Sequence, residues 1–177
     1  MHIQSKLFLL ICTLLAIDCE AQQVRINGST GNRPLTWDDF TGKPDKHSSW
    51  YAYTAWNLPY QFTGVAFKGD TAILKGLTFD LELDPRKSWL KKGNETAALL
   101  NHEQGHFNIA LLLQKELVEG SQKITFFRNG YITRLTEFYG DLHKKYTLLN
   151  EKYDEETRHS QDMEQQAKWD LFFKQQL

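Results

Sequence analysis

Cysteine is all but missing. The two that exist, Cys12 and Cys19, fall in the first 21 of 177 residues, so the remainder of the chain can form no disulfide of its own. Its stability must come from a hydrophobic core, with or without a bound metal. An excess of either charge is also missing. The formal net charge is −1 and no basic stripe runs along the chain, which excludes nucleic acid as an expected partner. Internal repeats and low-complexity tracts are lacking too. Leu7 to Ile17 is apolar over only 11 residues, well short of the ~20 that a spanning helix needs.

What is present begins with an export signal. Lys6 gives a positive start, the apolar run follows, and Cys19-Glu20-Ala21 ends on a small residue. Residues 1–21 therefore read as a signal peptide cleaved after Ala21, and the protein is expected to be periplasmic or secreted. An uncleaved anchor is one alternative. A lipid on Cys19 is another, disfavoured because Asp18 stands where a small residue is expected. Cleavage removes Lys6, Asp18 and Glu20 and leaves 20 residues of each sign, so a neutral domain with no stable membrane span is expected. Residues 22–177 suffice for one domain, and a hydrophobic content of 41% allows it a real core.

The order of patterns predicts an α+β fold. Gln22 to Arg33 is polar and reads as a leader or loose first strand. Leu35-Thr36-Trp37-Asp38-Asp39-Phe40 reads as a packed loop, broken by Gly42 and Pro44. Trp50 to Trp56, Tyr60 to Lys68 and Thr71 to Leu83 are strand-like, with a tight turn at Gly69-Asp70. In the last of these, Leu77, Phe79, Leu81 and Leu83 alternate with Thr78, Asp80 and Glu82, the mark of a half-buried strand. Short connections predict a small antiparallel sheet. A helix follows from about Glu95 to Val118, capped by Asn94 and apolar on most sides, hence central. Further helices are expected from Tyr131 to about Glu156 and from a cap at Ser160 to the C-terminus, with Gly140 a weak point in the first.

The middle of the central helix carries His102-Glu103-Gln104-Gly105-His106. Residues four apart share one helix face, so both imidazoles can bind one Zn²⁺, and Glu103 lies beside them to accept a proton from water. Burying two histidines and a glutamate without partners costs about 1–3 kcal/mol each, which itself argues for a site. A catalytic zinc takes three protein ligands. The extended pattern would need Gly at 109 and His at 112, where this chain has Ile109 and Leu112. The third ligand must lie farther on, among Glu116, His143, Asp154, Glu155, Glu156 and His159. Glu116 is ~15 Å along the helix from His106, too far, and His143 beside two lysines reads as a solvated face. His159 sits between two helices, where the backbone can aim it inward. It is the expected ligand, with Asp154 the alternative; Asp154 and Thr157, three apart on the preceding turn, are also placed to support it from behind.

These segments resemble a bacterial family of predicted secreted zinc-dependent proteases, catalogued as domain of unknown function 922. The resemblance rests on Leu35 to Phe40 with Gly42 and Pro44, on Ser88-Trp89, on His102 to Phe107, and on Tyr153-Asp154-x-x-Thr157-x-His159 followed by Gln165 or Gln166 and Trp169. The family pattern often has glycine after the last histidine; here Ser160 stands there. The resemblance implies a zincin-like hydrolase acting outside the cytoplasm. The expectation is thus a zinc metallopeptidase acting on a peptide or protein substrate, with His102, His106 and His159 on Zn²⁺ and Glu103 as general base. Tyr153 is either an oxyanion stabiliser or a core residue. A sheet edge at Leu77 to Leu83 would hold the peptide. The alternatives are a non-catalytic zinc-binding interaction domain and a metal-dependent amidase acting on cell-wall peptides.

Overall fold

The computed structural model describes residues 22–177, so the signal segment and both cysteines lie outside the described residues. Within it, eleven short strands and three helices form an α+β fold. The sheet is not one piece. It divides into a four-stranded unit in the order β2-β1-β9-β4, a three-stranded unit β11-β7-β6, and the pairs β10-β3 and β5-β8. In chain order these are β1 (Val24–Ile26), β2 (Ser29–Thr30), β3 (Ala52–Tyr53), β4 (Trp56–Asn57), β5 (Tyr60–Gln61) and β6 (Gly64–Lys68). They continue with β7 (Thr71–Lys75), β8 (Thr78–Phe79), β9 (Leu81–Leu83), β10 (Trp89–Leu90) and β11 (Phe126–Phe127).

The division has a local cause. The alternating stretch Thr71 to Leu83 is interrupted at Gly76, which has φ +61°, and again at Asp80, giving β7, β8 and β9. The alternation still decides burial at its end. Phe79, Leu81 and Leu83 are fully buried, Glu82 is exposed, but Thr78 is buried against expectation. Pairing is antiparallel as expected with one exception: β1 joins β9 in parallel, Val24 opposite Leu81. β9 is therefore flanked on both sides, by β1 and β4, so the Leu81 to Leu83 part of the expected peptide-binding edge is already paired. The β6–β7 hairpin turns at Gly69-Asp70 as expected, Gly69 taking the positive φ of +59° that the first position of a II′ turn demands.

Helix α1 (Ala97–Ser121) is the centre of the molecule. Its cap is Thr96, whose hydroxyl accepts from the Leu99 amide, not Asn94, whose side chain instead bonds back to Lys91. Phe107, Ile109, Leu113 and Leu117 are wholly buried; each such side chain stabilises the fold by about 1.5–3 kcal/mol relative to exposure. Helix α2 (Tyr131–Thr157) runs unbroken through Gly140 and is charged on its outer face. Glu116 of α1 ties the two helices together, accepting from Lys145 at 2.8 Å and Tyr146 at 2.7 Å. Helix α3 (Met163–Gln176) starts two residues later than expected, capped by Asp162 rather than Ser160, and buries Gln166, Trp169 and Phe173.

The loop before the strands is fixed to α1. Asp39 closes a capping box with Thr36 and accepts both prongs of Arg33, at 2.6 and 2.8 Å. Phe40 is buried, and the Leu35 amide donates to Gln104, inside the five-residue motif, at 2.7 Å.

Candidate metal centre

Helix α1 brings His102, Glu103 and His106 together by its own periodicity, with the two imidazole centroids 4.8 Å apart. His102 and Glu103 are only 2% and 3% exposed. The approach of α2 explains the glycine in the motif: a Cβ on Gly105 would lie 2.1 Å from the Tyr153 hydroxyl. Nothing larger than glycine lets Tyr153 pack across the helix there.

The second half of the site comes from the end of α2. Asp154 lies in its last turn, and Arg158, His159 and Ser160 follow with φ of +49°, +50° and +74°. Three successive left-handed residues, none of them glycine, reverse the chain and turn His159 back toward Asp154, whose carbonyl accepts from the His159 amide at 3.0 Å. Ser160 takes a backbone conformation that favours glycine.

Asp154 Oδ1 lies 3.2 Å from His102 Nε2, 3.2 Å from His106 Nε2 and 3.2 Å from His159 Nδ1. Donors that share a tetrahedral ion at ~2.0–2.1 Å are spaced by ~3.3 Å, so each of these separations has the length of one edge of such a set. His102, Asp154 and His159 together form a group that can hold a metal ion; His106 reaches the same Asp154 oxygen but lies outside that group. His159 and Asp154, expected as alternatives, both reach the site.

The hydrogen bonds behind the imidazoles test whether a cation fits. The Gln166 amide nitrogen donates to Asp170, a carboxylate that can only accept, and to the Tyr153 hydroxyl. Its Oε1 therefore faces His102 Nδ1, at 3.3 Å, and fixes the proton on that nitrogen. Asn150 Oδ1 stands 2.8 Å from His106 Nδ1 and does the same. In their neutral forms both histidines then point Nε2 lone pairs at a carboxylate oxygen. Such an arrangement needs added protons or a cation, and a metal supplies the cation. Protons alone leave the mark of this conflict. Burial pulls the His106 pKa down, but Asp154, Glu103 and Asn150 more than offset it and raise it to about 9. Burial pushes Asp154 up, yet His102 and His106 hold it well below the usual carboxylate range.

The other predicted residues are placed as follows. Glu103 Oε2 accepts from Thr54 at 2.6 Å and faces the same cavity as the imidazoles. Thr157 is fully buried, 3.4 Å from His102 Nδ1, with its hydroxyl donating to the Tyr153 carbonyl. Tyr153 is wholly buried and does not line the cavity; its hydroxyl is engaged by the His102 carbonyl and Gln166, and its ring stacks on His102 at 4.8 Å. That is the core position, and burial pushes its phenol far up from its ordinary pKa. Glu116 is remote, as expected. His143 is not solvated: it is half-buried between Trp56 and Tyr139, and burial lowers its pKa. Glu156 accepts from the Trp169 indole. Thr54, Asn150 and Gln166 went unrecognised as site residues, because amides and hydroxyls carry no spacing signal; only Gln166 stood in a motif.

The cluster opens into a cavity of about 560 Å³, walled by the segment from Ser49 to Asn57 on one side and by α1 and α2 on the other. No family model, curated protein or solved structure matches the chain. What bears on function is the geometry itself.

Proposed function

We propose that the protein is a zinc-dependent hydrolase that cleaves peptide bonds outside the cytoplasm. One observation carries this reading: three imidazole nitrogens converge on Asp154 beside a buried Glu103, at the floor of an open cavity. His102, His106 and His159 would hold the zinc, with Asp154 at the same point. When bound, the ion supplies Lewis acidity that polarises a carbonyl and makes water easier to deprotonate.

The chain supplies the rest. Glu103 accepts the proton as the water oxygen adds to the carbonyl carbon, then passes it to the departing amine nitrogen as the C–N bond breaks. Thr54 steadies the Glu103 carboxylate for that task. Gln166 and Asn150 hold the two imidazoles in the tautomer that donates through Nε2. Strand β3 borders the cavity and, among the described residues, pairs with β10 alone; its other edge is where an extended backbone would be laid. That edge is what favours a peptide over a smaller amide. No helix among the described residues is long and apolar enough to cross a membrane.

A second reading keeps the metal and drops the chemistry. Asp154 stands close to all three histidines, and four protein donors make a closed site. Casein hydrolysis by wild type and by Glu103→Gln separates the two. The hydrolase reading requires activity in the first and near-complete loss in the second with metal content unchanged. An inactive, fully metal-loaded wild type selects the closed site.

A further inference from the structure

One wall of the cavity has an unusual composition. Trp50, Tyr51, Tyr53 and Trp56 lie within seven residues, and all line it. Trp50, Tyr51 and Tyr53 are 44%, 53% and 43% exposed, although each has a large apolar surface that water solvates poorly. They are not scattered. Trp50 stacks on Tyr53 with centroids 6.0 Å apart and planes within 12°, and Tyr53 continues onto Trp89 at 6.1 Å. At its other end Trp50 lies against His159, 6.0 Å between centroids. An aromatic platform thus begins at the metal centre and runs away from it along β3.

We infer that this platform is a specificity subsite, which takes an aromatic or large aliphatic side chain of the substrate next to the bond that is cleaved. The inference rests on the hydrolase reading and names its substrate class. Three observations select the occupant. First, apart from the metal cluster and Glu103, the charged residues lining the cavity are Asp84 and Lys87, and they pair with each other at 3.4 Å. No charge is left over to recognise an acidic or basic side chain. Second, the platform flanks the edge of β3 that no other described strand pairs with, so a peptide backbone laid along that edge would present alternate side chains to the rings. A sugar chain has no use for that edge. Third, Trp50 touches His159 itself, which puts the rings beside the reacting bond rather than at a distant rim.

The test uses the full mature chain carrying Glu103→Gln, loaded with zinc, so that binding is read without turnover. Calorimetry would compare the blocked peptides acetyl-Ala-Ala-Phe-Ala-amide and acetyl-Ala-Ala-Ala-Ala-amide, and chitotriose as a sugar probe. Burying and stacking one aromatic ring should favour the Phe peptide by about 10-fold or more. Trp50→Ala and, separately, Tyr53→Ala should bring the ratio toward 1. A milder Trp50→Leu covers the case in which the alanine variant misfolds, and should retain part of the preference for the larger side chain. Equal affinity for both peptides, tighter binding of the sugar, or no binding of any probe overturns the subsite. Failure of the hydrolase reading would look different: the Phe peptide would bind selectively, yet wild type with full zinc would leave casein and the same peptide uncut.

Discussion

The two segments that meet at Asp154 are built on opposite principles. His102, Glu103 and His106 sit in the middle of a 25-residue helix, and its periodicity alone sets their spacing. Asp154 and His159 lie where a helix ends, and three left-handed residues are needed to bring His159 round. The first half would have its geometry in almost any stable context. The second depends on partners: Tyr153 across Gly105, Gln166 from α3, and the Asp162 amide bonded to the Thr157 carbonyl at 2.8 Å. A site made this way has one rigid jaw and one jaw held by tertiary contacts.

The largest expected effect probes the rigid jaw. Glu103→Gln keeps the shape and removes the base, so hydrolysis of casein should fall by about 10²–10⁴-fold with metal content intact. A variant that kept most of its rate would show that the helix carries no general base. Next comes the contact between the jaws. Gly105→Ala forces a methyl into the Tyr153 hydroxyl, and urea unfolding should register a loss of about 1–3 kcal/mol. An unchanged midpoint would mean that α2 does not press on the motif as described. Gln166→Met removes the group that orients His102 without touching a donor atom; zinc affinity, read by chelator competition, should drop by about 10–100-fold. Ser160→Gly relieves one left-handed residue and should raise thermal stability by about 1 kcal/mol, the opposite sign to Gly105→Ala.

The smallest effect lies outside both jaws and serves as their control. Burial raises the pKa of Asp39, but its bonds to Arg33 and Thr36 outweigh this and hold it below its ordinary value. A carboxyl depressed in the folded state adds stability above its unfolded pKa of ~3.9, and loses that contribution as the pH falls through the folded value. Asp39→Asn should therefore lower stability at neutral pH and flatten the acid limb of the stability curve, while bound metal stays constant. A steeper acid limb would contradict this.

The same contrast explains what could be read from the sequence. The rigid jaw was legible because helical spacing is a property of the chain itself; α1, its central place and the three motif residues followed from apolar positions such as Phe107, Leu113 and Leu117. The other jaw was legible in part. His159 stood out as a histidine at a helix junction, and Asp154 on the preceding turn as a ligand or a support for it; that one Asp154 oxygen would meet all three imidazoles was not legible. Thr54 and Asn150 could not be assigned to the site, because their roles arise from packing between segments 49 and 44 residues apart. The antiparallel hairpin at Gly69-Asp70 was legible, but one pairing was not, for a similar reason. β1 pairs with β9 across 57 residues, Val24 opposite Leu81, and a polar segment without alternation announces no partner.

The central claim is that the two jaws close on one metal ion. Its most direct test is the zinc bound per chain near neutral pH, measured by mass spectrometry in wild type and in His102→Ala, His106→Ala and His159→Ala. The account predicts about one ion per wild-type chain, lost or much weakened in every variant. A wild-type protein that binds no zinc, or variants that all retain it, would contradict the account.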